Sequence, residues 1–392
     1  MLTPHSVAQN PATPMSEPRI PPLKRLAAQV ARAAPASWRF PVFGVSASVS
    51  GREAVQPVAA TVYGAPDARF LQPVADFLGP GDLSPLALAR SHLASIPRGI
   101  AWNRGAHLTA DGRLIAPLSV GMNLPMDRWL VKRQRFFPRI HRVIGTVVSL
   151  STDGHNNYYH WMLDLLPKLF LALAAGLGDK PFYTGASTPF QKQTFALLGI
   201  PSARILDCNA ISFLQADELI VPFLGDNHPP NVFDAGKCRL LAEVFSNYSA
   251  GELSAQKLPA RFVVSRSKTR SRRVVNEDAL LGRLASLGFR AIHLEDLTVP
   301  EQITLFGGAE AIVASTGAGL VNLIHCRPGT AVAILMPTAC PDLVCQDIAS
   351  FARLRGSIFY AQPHPPETPD RIGCDLLLDE QVLADLVRHF TP

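Results

Sequence analysis

Strand-like and helix-like segments alternate through the second half of the chain, which leaves few architectures open to it. RFVVS (Arg261–Ser265) is an apolar, β-branched run of strand length. EDALLGRLASL after it has helical spacing, with Asn276 placed to cap its start and Gly288 to end it. AIHL (Ala291–Leu294) reads as the next strand, and Thr298 with Glu301 has the spacing of a capping box for a helix running to about Gly307. AIVA (Ala311–Ala314) leads into the loop STGAG and a short helix ending near His325. Pro328-Gly329 turns the chain into AVAIL (Ala331–Leu335), and a helix near Val344–Leu354 precedes the strand SIFYA (Ser357–Ala361). Strands separated by helices at this spacing predict a parallel sheet covered on both faces. Ligands of such sheets bind beyond the carboxyl ends of the strands.

The first half is less regular. AHLTADGRLIAPL suggests a hairpin turning at Asp111-Gly112, and RVIGTVVSL (Arg142–Leu150) a buried strand. A helix near Tyr158, the strand PFYTG, a helix from Pro189 to Leu198, and the strands RILD and ELIVPF complete a first α/β layer. At 392 residues the chain has room for two domains. The expected division is an N-terminal arm over 1–38, an N-terminal α/β domain with a β-hairpin region over 39–250 and a C-terminal Rossmann-like domain over 251–392. Within the arm, Lys24–Ala34 could form a short basic helix resting on the body or on anionic lipid.

Apolar residues at 47% and charged residues at 17% favour a folded chain, and no apolar run reaches membrane-spanning length. The opening residues lack a charged start followed by an apolar block, and the six cysteines form no CxxC pair. A cytoplasmic protein with free core thiols is therefore expected. Of the net charge of +6, the most informative part is RFVVSRSKTRSRR: Arg261, Arg266, Lys268, Arg270, Arg272 and Arg273 stand together without an acid. Phosphate or an anionic membrane suits such a segment. Nucleic acid does not, because only Phe262 interleaves the basic residues.

Three segments could carry chemistry. In Ser315–Asn322, a strand ending in Thr316, Gly317, Ala318 and Gly319 would let backbone amides approach an anion at a helix start; a tight turn without ligand would use the same residues. In Ser265–Asp278, Arg266 stands one residue past a strand and is best placed to reach a diphosphate. In His155–Phe170, Asn157, His160, Asp164 and Lys168 fall in one helical stripe. A His160–Asp164 hydrogen bond would orient the imidazole as a general base, although a polar helix face with a satisfied histidine has the same pattern. Pro167 is expected to kink this helix or start a new one. No acid pair of the DxD type lies in a strand-end loop, so metal-independent chemistry is expected.

HNNYYHWMLDLLPKL, SRSKTRSRRVVNED and LEDLTVPEQITLFGGAEAIVASTGAGLVNLIHCRPGT together resemble glycosyltransferase family 61, in the family's order, over roughly Gly145–Pro337. That group includes capsular-polysaccharide biosynthesis proteins, plant xylosyltransferases and O-linked GlcNAc transferases. The resemblance implies a GT-B fold, an α/β architecture of two facing Rossmann-like domains with parallel sheets. It also implies inverting, metal-independent transfer from a nucleotide sugar held mainly by the C-terminal half. Ser265, Arg266, Asn276, Glu277, Gln302, Gly317, Ala318, Gly319 and Asn322 match its pattern there, and Tyr159, His160, Trp161 and Asp164 match its N-terminal block. Two positions depart from it: Thr316 stands where the family often has His, and Ile334 where it often has Glu.

The expected protein is thus a glycosyltransferase of capsular or other surface polysaccharide, working in the cytoplasm or at the inner face of its membrane. His160 and Asp164 would be catalytic. Ser265, Arg266, Asn276, Thr316, Gly317, Ala318, Gly319 and Asn322 would bind the donor. Its expected partners are a nucleotide-sugar donor and a glycan or lipid-linked glycan acceptor, without a cofactor, a metal or nucleic acid. The alternative is a nucleotide-sugar or glycan-binding protein of the same fold without turnover. An NAD-dependent enzyme is disfavoured, because the first strand of this half runs into SRSKTRSRR and not into a G-x-G-x-x-G turn.

Overall fold

A computed structural model describes residues 46–47, 69–71, 91–103, 105–110, 115, 118–119, 140–152, 154–224, 234–246, 248, 258–338, 344–366 and 373–391. The expected arm over 1–38 and the Asp111-Gly112 turn lie outside them.

The first of two sheets holds β1 (Ser46–Ala47), β2 (Arg69–Leu71), β3 (Ser91–Pro97), β4 (Ile100–Trp102), β5 (Ala106–Leu108), β6 (His141–Ser149), β7 (Phe182–Thr184), β8 (Ile205–Asp207) and β9 (Phe213–Leu224). Its main order is β1-β2-β3-β9-β6-β7-β8. The strands β9, β6, β7 and β8 run parallel, whereas β3 and β4 lie antiparallel along the other edge of β9. The expectation of a parallel sheet therefore holds for one part of this layer only. Parallel neighbours need a long crossover. The three residues between β4 and β5 allow only the antiparallel pair that forms. The strand at Ala106 thus pairs backwards with β4, and Ile115 N–H donates to the His107 carbonyl at 2.8 Å.

The second sheet holds β10 (Arg261–Val264), β11 (Arg290–Ile292), β12 (Ala311–Ser315), β13 (Ala331–Pro337), β14 (Arg355–His364) and β15 (Asp375–Leu377), in the order β11-β10-β12-β13-β14-β15. The first five strands are parallel, as the alternating pattern requires, and β15 closes the edge antiparallel. Along β13 the side chains alternate between two cores. Val332, Ile334 and Met336 join one, and Ala331, Ala333 and Leu335 the other. Both faces are buried, which is why this strand reads as a continuous apolar run.

The helices are α1 (Tyr158–Ala174, in three segments described below), α2 (Pro189–Leu197), α3 (Ala235–Phe245), α4 (Glu277–Leu284), α5 (Val299–Gly307), α6 (Val344–Phe351) and α7 (Glu380–Phe390). A 3-10 helix spans Ala318–His325. The capping box of α5 forms as expected: Glu301 N–H reaches Thr298 Oγ1, and Glu301 Oε2 accepts from Thr298 N–H at 2.7 Å. The larger core joins both halves of the chain, taking Trp161 and Phe170 from α1, Phe245 from α3, and Phe262, Phe306 and Ile312 from the second sheet and its cover. Each such side chain contributes about 1.5–3 kcal/mol by leaving water, so the two halves are welded rather than tethered.

No helix among the described residues is long and apolar enough to cross a membrane.

Candidate active site

Counted in chain order, the five parallel strands of the second sheet lie 2-1-3-4-5, so the direction of winding reverses between β10 and β12. A crevice opens at such a reversal beyond the carboxyl ends of the two strands. Ser265 and Arg266 follow β10, and Thr316 and Gly317 follow β12. The Arg266 guanidinium packs against the Gly317 backbone so closely that a Cβ there would stand 2.5 Å from Nη1. A side chain at this position would push the Arg266 guanidinium from its place, whereas the backbone angles are extended and would accept one. Ala318 and Gly319 form the first turn of the 3-10 helix, where amides lack intrahelical acceptors.

Arg272 reaches the same place from the other end of the basic loop. Its Nη1 donates to the Thr316 carbonyl at 3.3 Å, and its own carbonyl accepts from Ser315 Oγ at 2.9 Å. It holds a left-handed backbone (φ 58°), and its buried Nε has no partner. A non-glycine residue in that region costs of order 1–3 kcal/mol and persists only where its surroundings enforce it. Burial, together with Arg272 alongside, pulls the Arg266 guanidinium below its ordinary range, although Glu295 and Asp375 oppose the shift. Arg266 Nε donates to the Ser271 carbonyl at 3.2 Å. Among the described residues, no carboxylate forms an ion pair with either arginine.

The other basic residues do not converge there. Arg261 pairs with Glu310, Lys268 with Asp296, and Arg273 with Asp375 through both Nε and Nη2. Arg270 is exposed. The Arg273–Asp375 pair belongs to a longer seam between the basic loop and β15. Leu376 N–H donates to the Arg273 carbonyl at 2.7 Å, and Val275 N–H to the Leu376 carbonyl at 2.9 Å. Asn276 continues it, donating from Nδ2 to the Leu378 carbonyl at 2.8 Å while Oδ1 accepts from Leu378 N–H. Its amide is therefore engaged away from the crevice, and it caps α4 by position without a side-chain bond. Ser265 is also engaged, donating to Glu277 Oε1 at 2.7 Å. Thr316 is buried with its hydroxyl 3.8 Å from Cys345 Sγ, and Ile334 lies wholly in the core.

The second group stands on α1. Asn157 caps the segment Tyr158–His160, accepting from Tyr159 N–H. The helix then widens to a π turn over Trp161–Leu165, where Leu166 N–H reaches back five residues to the Trp161 carbonyl, and continues as Leu166–Ala174. Pro167 explains the widening. It has no N–H to give and crowds the carbonyl four residues back, so it is accommodated in the first turn of a renewed helix. His160 Nδ1 and Asp164 Oδ2 lie 2.7 Å apart. Burial alone would raise the Asp164 carboxyl. The His160 bond and the charges of Lys237 and Lys168 outweigh it and hold the group below its ordinary value. The imidazole is buried, edge-on to Tyr159 and against Gly154, where any Cβ would strike its ring. Trp161 is structural, donating from Nε1 to Thr194 Oγ1 at 2.9 Å.

A buried polar chain joins the two groups. Tyr158 Oη donates to Asn322 Oδ1 at 3.0 Å, Asn322 Nδ2 to Gln302 Oε1 at 2.8 Å, and Gln302 Nε2 to the Leu294 carbonyl at 3.0 Å. Asn322 is fully buried, and its amide is committed to this chain. It sits on the same 3-10 helix as Ala318, roughly 8 Å along the axis at about 2 Å per residue. Sequence reasoning singled out Asn322 and Gln302 but missed Tyr158, since nothing in the pair Tyr158-Tyr159 says which ring turns inward. It also missed Lys237, which lies 3.7 Å from Asp164 and reaches it from α3.

The molecule is thus a mixed α/β protein with two arginines at a topological switch point and a His–Asp pair on an adjoining helix. Residues 158–333 match the family model described as Glycosyltransferase 61, and over that region the chain is similar to that family. The match opens on Tyr158 and closes inside β13, so it takes in the His–Asp pair, the basic loop and the Gly317–Gly319 turn. No curated protein sequence matches the chain.

Proposed function

We propose that the protein transfers a sugar from a nucleotide-sugar donor to a glycan or lipid-linked glycan acceptor, with inversion and without a metal ion. The observation that carries this reading is the Arg266–Arg272 pair, unpaired with acid and set against Gly317 at the switch point. Two guanidiniums and a helix start would offset the charge that develops on a departing nucleoside diphosphate. Inversion in one displacement needs a base on the face opposite the leaving group. His160 suits that role: Asp164 engages Nδ1, leaving Nε2 to take the acceptor hydroxyl proton while the carboxylate stabilises the resulting imidazolium. A GT-B arrangement with the donor in the C-terminal half, and a role in surface-polysaccharide assembly at the cytoplasmic side of a membrane, complete the reading.

Thr316 and Ile334 favour a second reading, a binding protein without turnover. Neither side chain can replace the family's frequent His and Glu, since one hydroxyl faces Cys345 and the other group is core. Thermal melting against a panel of nucleotide sugars and nucleoside diphosphates, with and without EDTA, separates these outcomes. A ligand at a hundred times its dissociation constant adds about 2.7 kcal/mol. A stabilising nucleotide that survives EDTA and is lost in Arg266→Ala supports the donor site. Binding with neither transfer nor donor hydrolysis selects the second reading, and no shift with any nucleotide from folded protein rejects both nucleotide readings.

A further inference from the structure

We propose that Lys168 and Lys237 form a subsite for an anionic group of the acceptor, a carboxylate or a phosphate, next to the His160–Asp164 pair. The proposal rests on the reading of that pair as the acceptor base. Lys168 follows Pro167 in the renewed part of α1 and is buried, 7% exposed, without a hydrogen-bond partner among the described residues. Lys237 comes from α3, its side chain 17% exposed, with Nζ 3.7 Å from Asp164 Oδ1. The other oxygen of Asp164 is taken by His160.

His160 and Lys237 stand against this carboxylate, and Lys168, four residues on along α1, acts on it through its charge. His107, which also feels Lys168, adds no negative charge. Its nitrogens are engaged by the Leu118 carbonyl and Ser149 Oγ, and burial holds it neutral, down at about 3. Among the described residues, Asp234 caps α3 at Lys237 N–H but stands outside ion-pairing distance of either lysine, so two lysines against Asp164 leave one positive charge over. Burial of an uncompensated ammonium is strongly unfavourable, and here burial pulls Lys168 down to about 8 despite the Asp164 carboxylate nearby. A His bond and one ammonium would already hold that carboxylate, so the second lysine is surplus to the structure. The Asp164 side chain is 38% exposed, so the cluster is open to solvent at this carboxylate. An acceptor bearing one negative charge would complete the set.

The test uses the full chain saturated with the nucleoside diphosphate that stabilises it most, so that Arg266 and Arg272 are occupied. Glucuronate, inorganic phosphate and glucose are then titrated by thermal melting. The expected result is stabilisation by at least one of the anions and not by glucose. The apparent affinity should weaken at least about tenfold in Lys237→Met and in Lys168→Met, while the nucleotide shift stays as in the wild type. A response to glucuronate alone identifies a uronic-acid-type acceptor, and one to phosphate alone a phosphorylated carrier. Equal anion affinity in Lys237→Met, the more exposed and better tolerated change, overturns the proposal, as does an absent anion response beside a normal nucleotide shift. If no nucleotide binds, the donor reading has failed separately. The same titrations on Arg266→Ala then decide this subsite, again by whether Lys237→Met removes the response.

Discussion

Arg266 with Arg272, and Lys168 with Lys237, are two pairs of cations built on opposite terms. The arginines are steered by backbone carbonyls and by close contact with Gly317, without an acid in pairing distance among the described residues. Of the lysines, Lys237 stands 3.7 Å from Asp164 and Lys168 acts on the same carboxylate through its charge, so one acid offsets half of theirs. A guanidinium is a rigid fork that can be aimed before its anion arrives, whereas an ammonium is a point charge that stays where the local field is favourable. The contrast is between a cradle shaped in advance and a field that a ligand completes.

Removal of the proposed base should give the largest effect on that contrast. His160→Ala is expected to lower transfer roughly 10²–10⁴-fold while leaving the nucleotide melting shift unchanged. A lost nucleotide shift would mean that the two groups are one site. Tyr158→Phe should act on their connection. With one hydrogen bond to Asn322 gone, at about 0.5–1.5 kcal/mol, turnover is expected to fall up to about tenfold with nucleotide affinity kept, read as kcat against donor KM. An equal fall in nucleotide affinity would show that the Tyr158–Asn322–Gln302 chain serves the arginine side as well.

An effect on stability rather than on turnover sets both pairs apart from the buried imidazoles. Burial depresses His107 to about 3 and His325 to about 4, so between there and about 6.5 the unfolded chain binds more protons than the folded one. Stability is then greatest above pH 6.5 and falls as the pH drops toward 4. Melting temperature against pH should show this slope, and His107→Gln should flatten it. An unchanged slope would mean that other groups titrate in this window.

The parallel sheet of the second half was legible because its punctuation is local: the Thr298–Glu301 box, Pro328-Gly329 and Gly288 each act within a few residues. The His160–Asp164 bond was legible for the same reason, four residues being one helical turn. What escaped depends on distant partners. Lys237 reaches Asp164 from a different helix, and Asn276 meets Leu378 over 102 residues of chain, a meeting that no spacing rule encodes. The helix α7 could have been found from Asp379, which caps it, and from the buried Leu383, Leu386 and Phe390 at helical spacing. The antiparallel wing of the first sheet was missed because β4 has only three residues and the chain between it and β3 breaks at Arg98, in a left-handed conformation (φ 52°).

The seam between the basic loop and β15 has a practical consequence. Arg273, Val275 and Asn276 are all held by residues between Asp375 and Leu378, and Arg272 stands immediately before them. The tail therefore works as a splint for the loop. A chain shortened to end before Asp375 would keep every arginine of the basic segment yet lose the brace that sets them, so shortening this protein from its carboxyl end removes a part of the crevice that contributes no side chain to it.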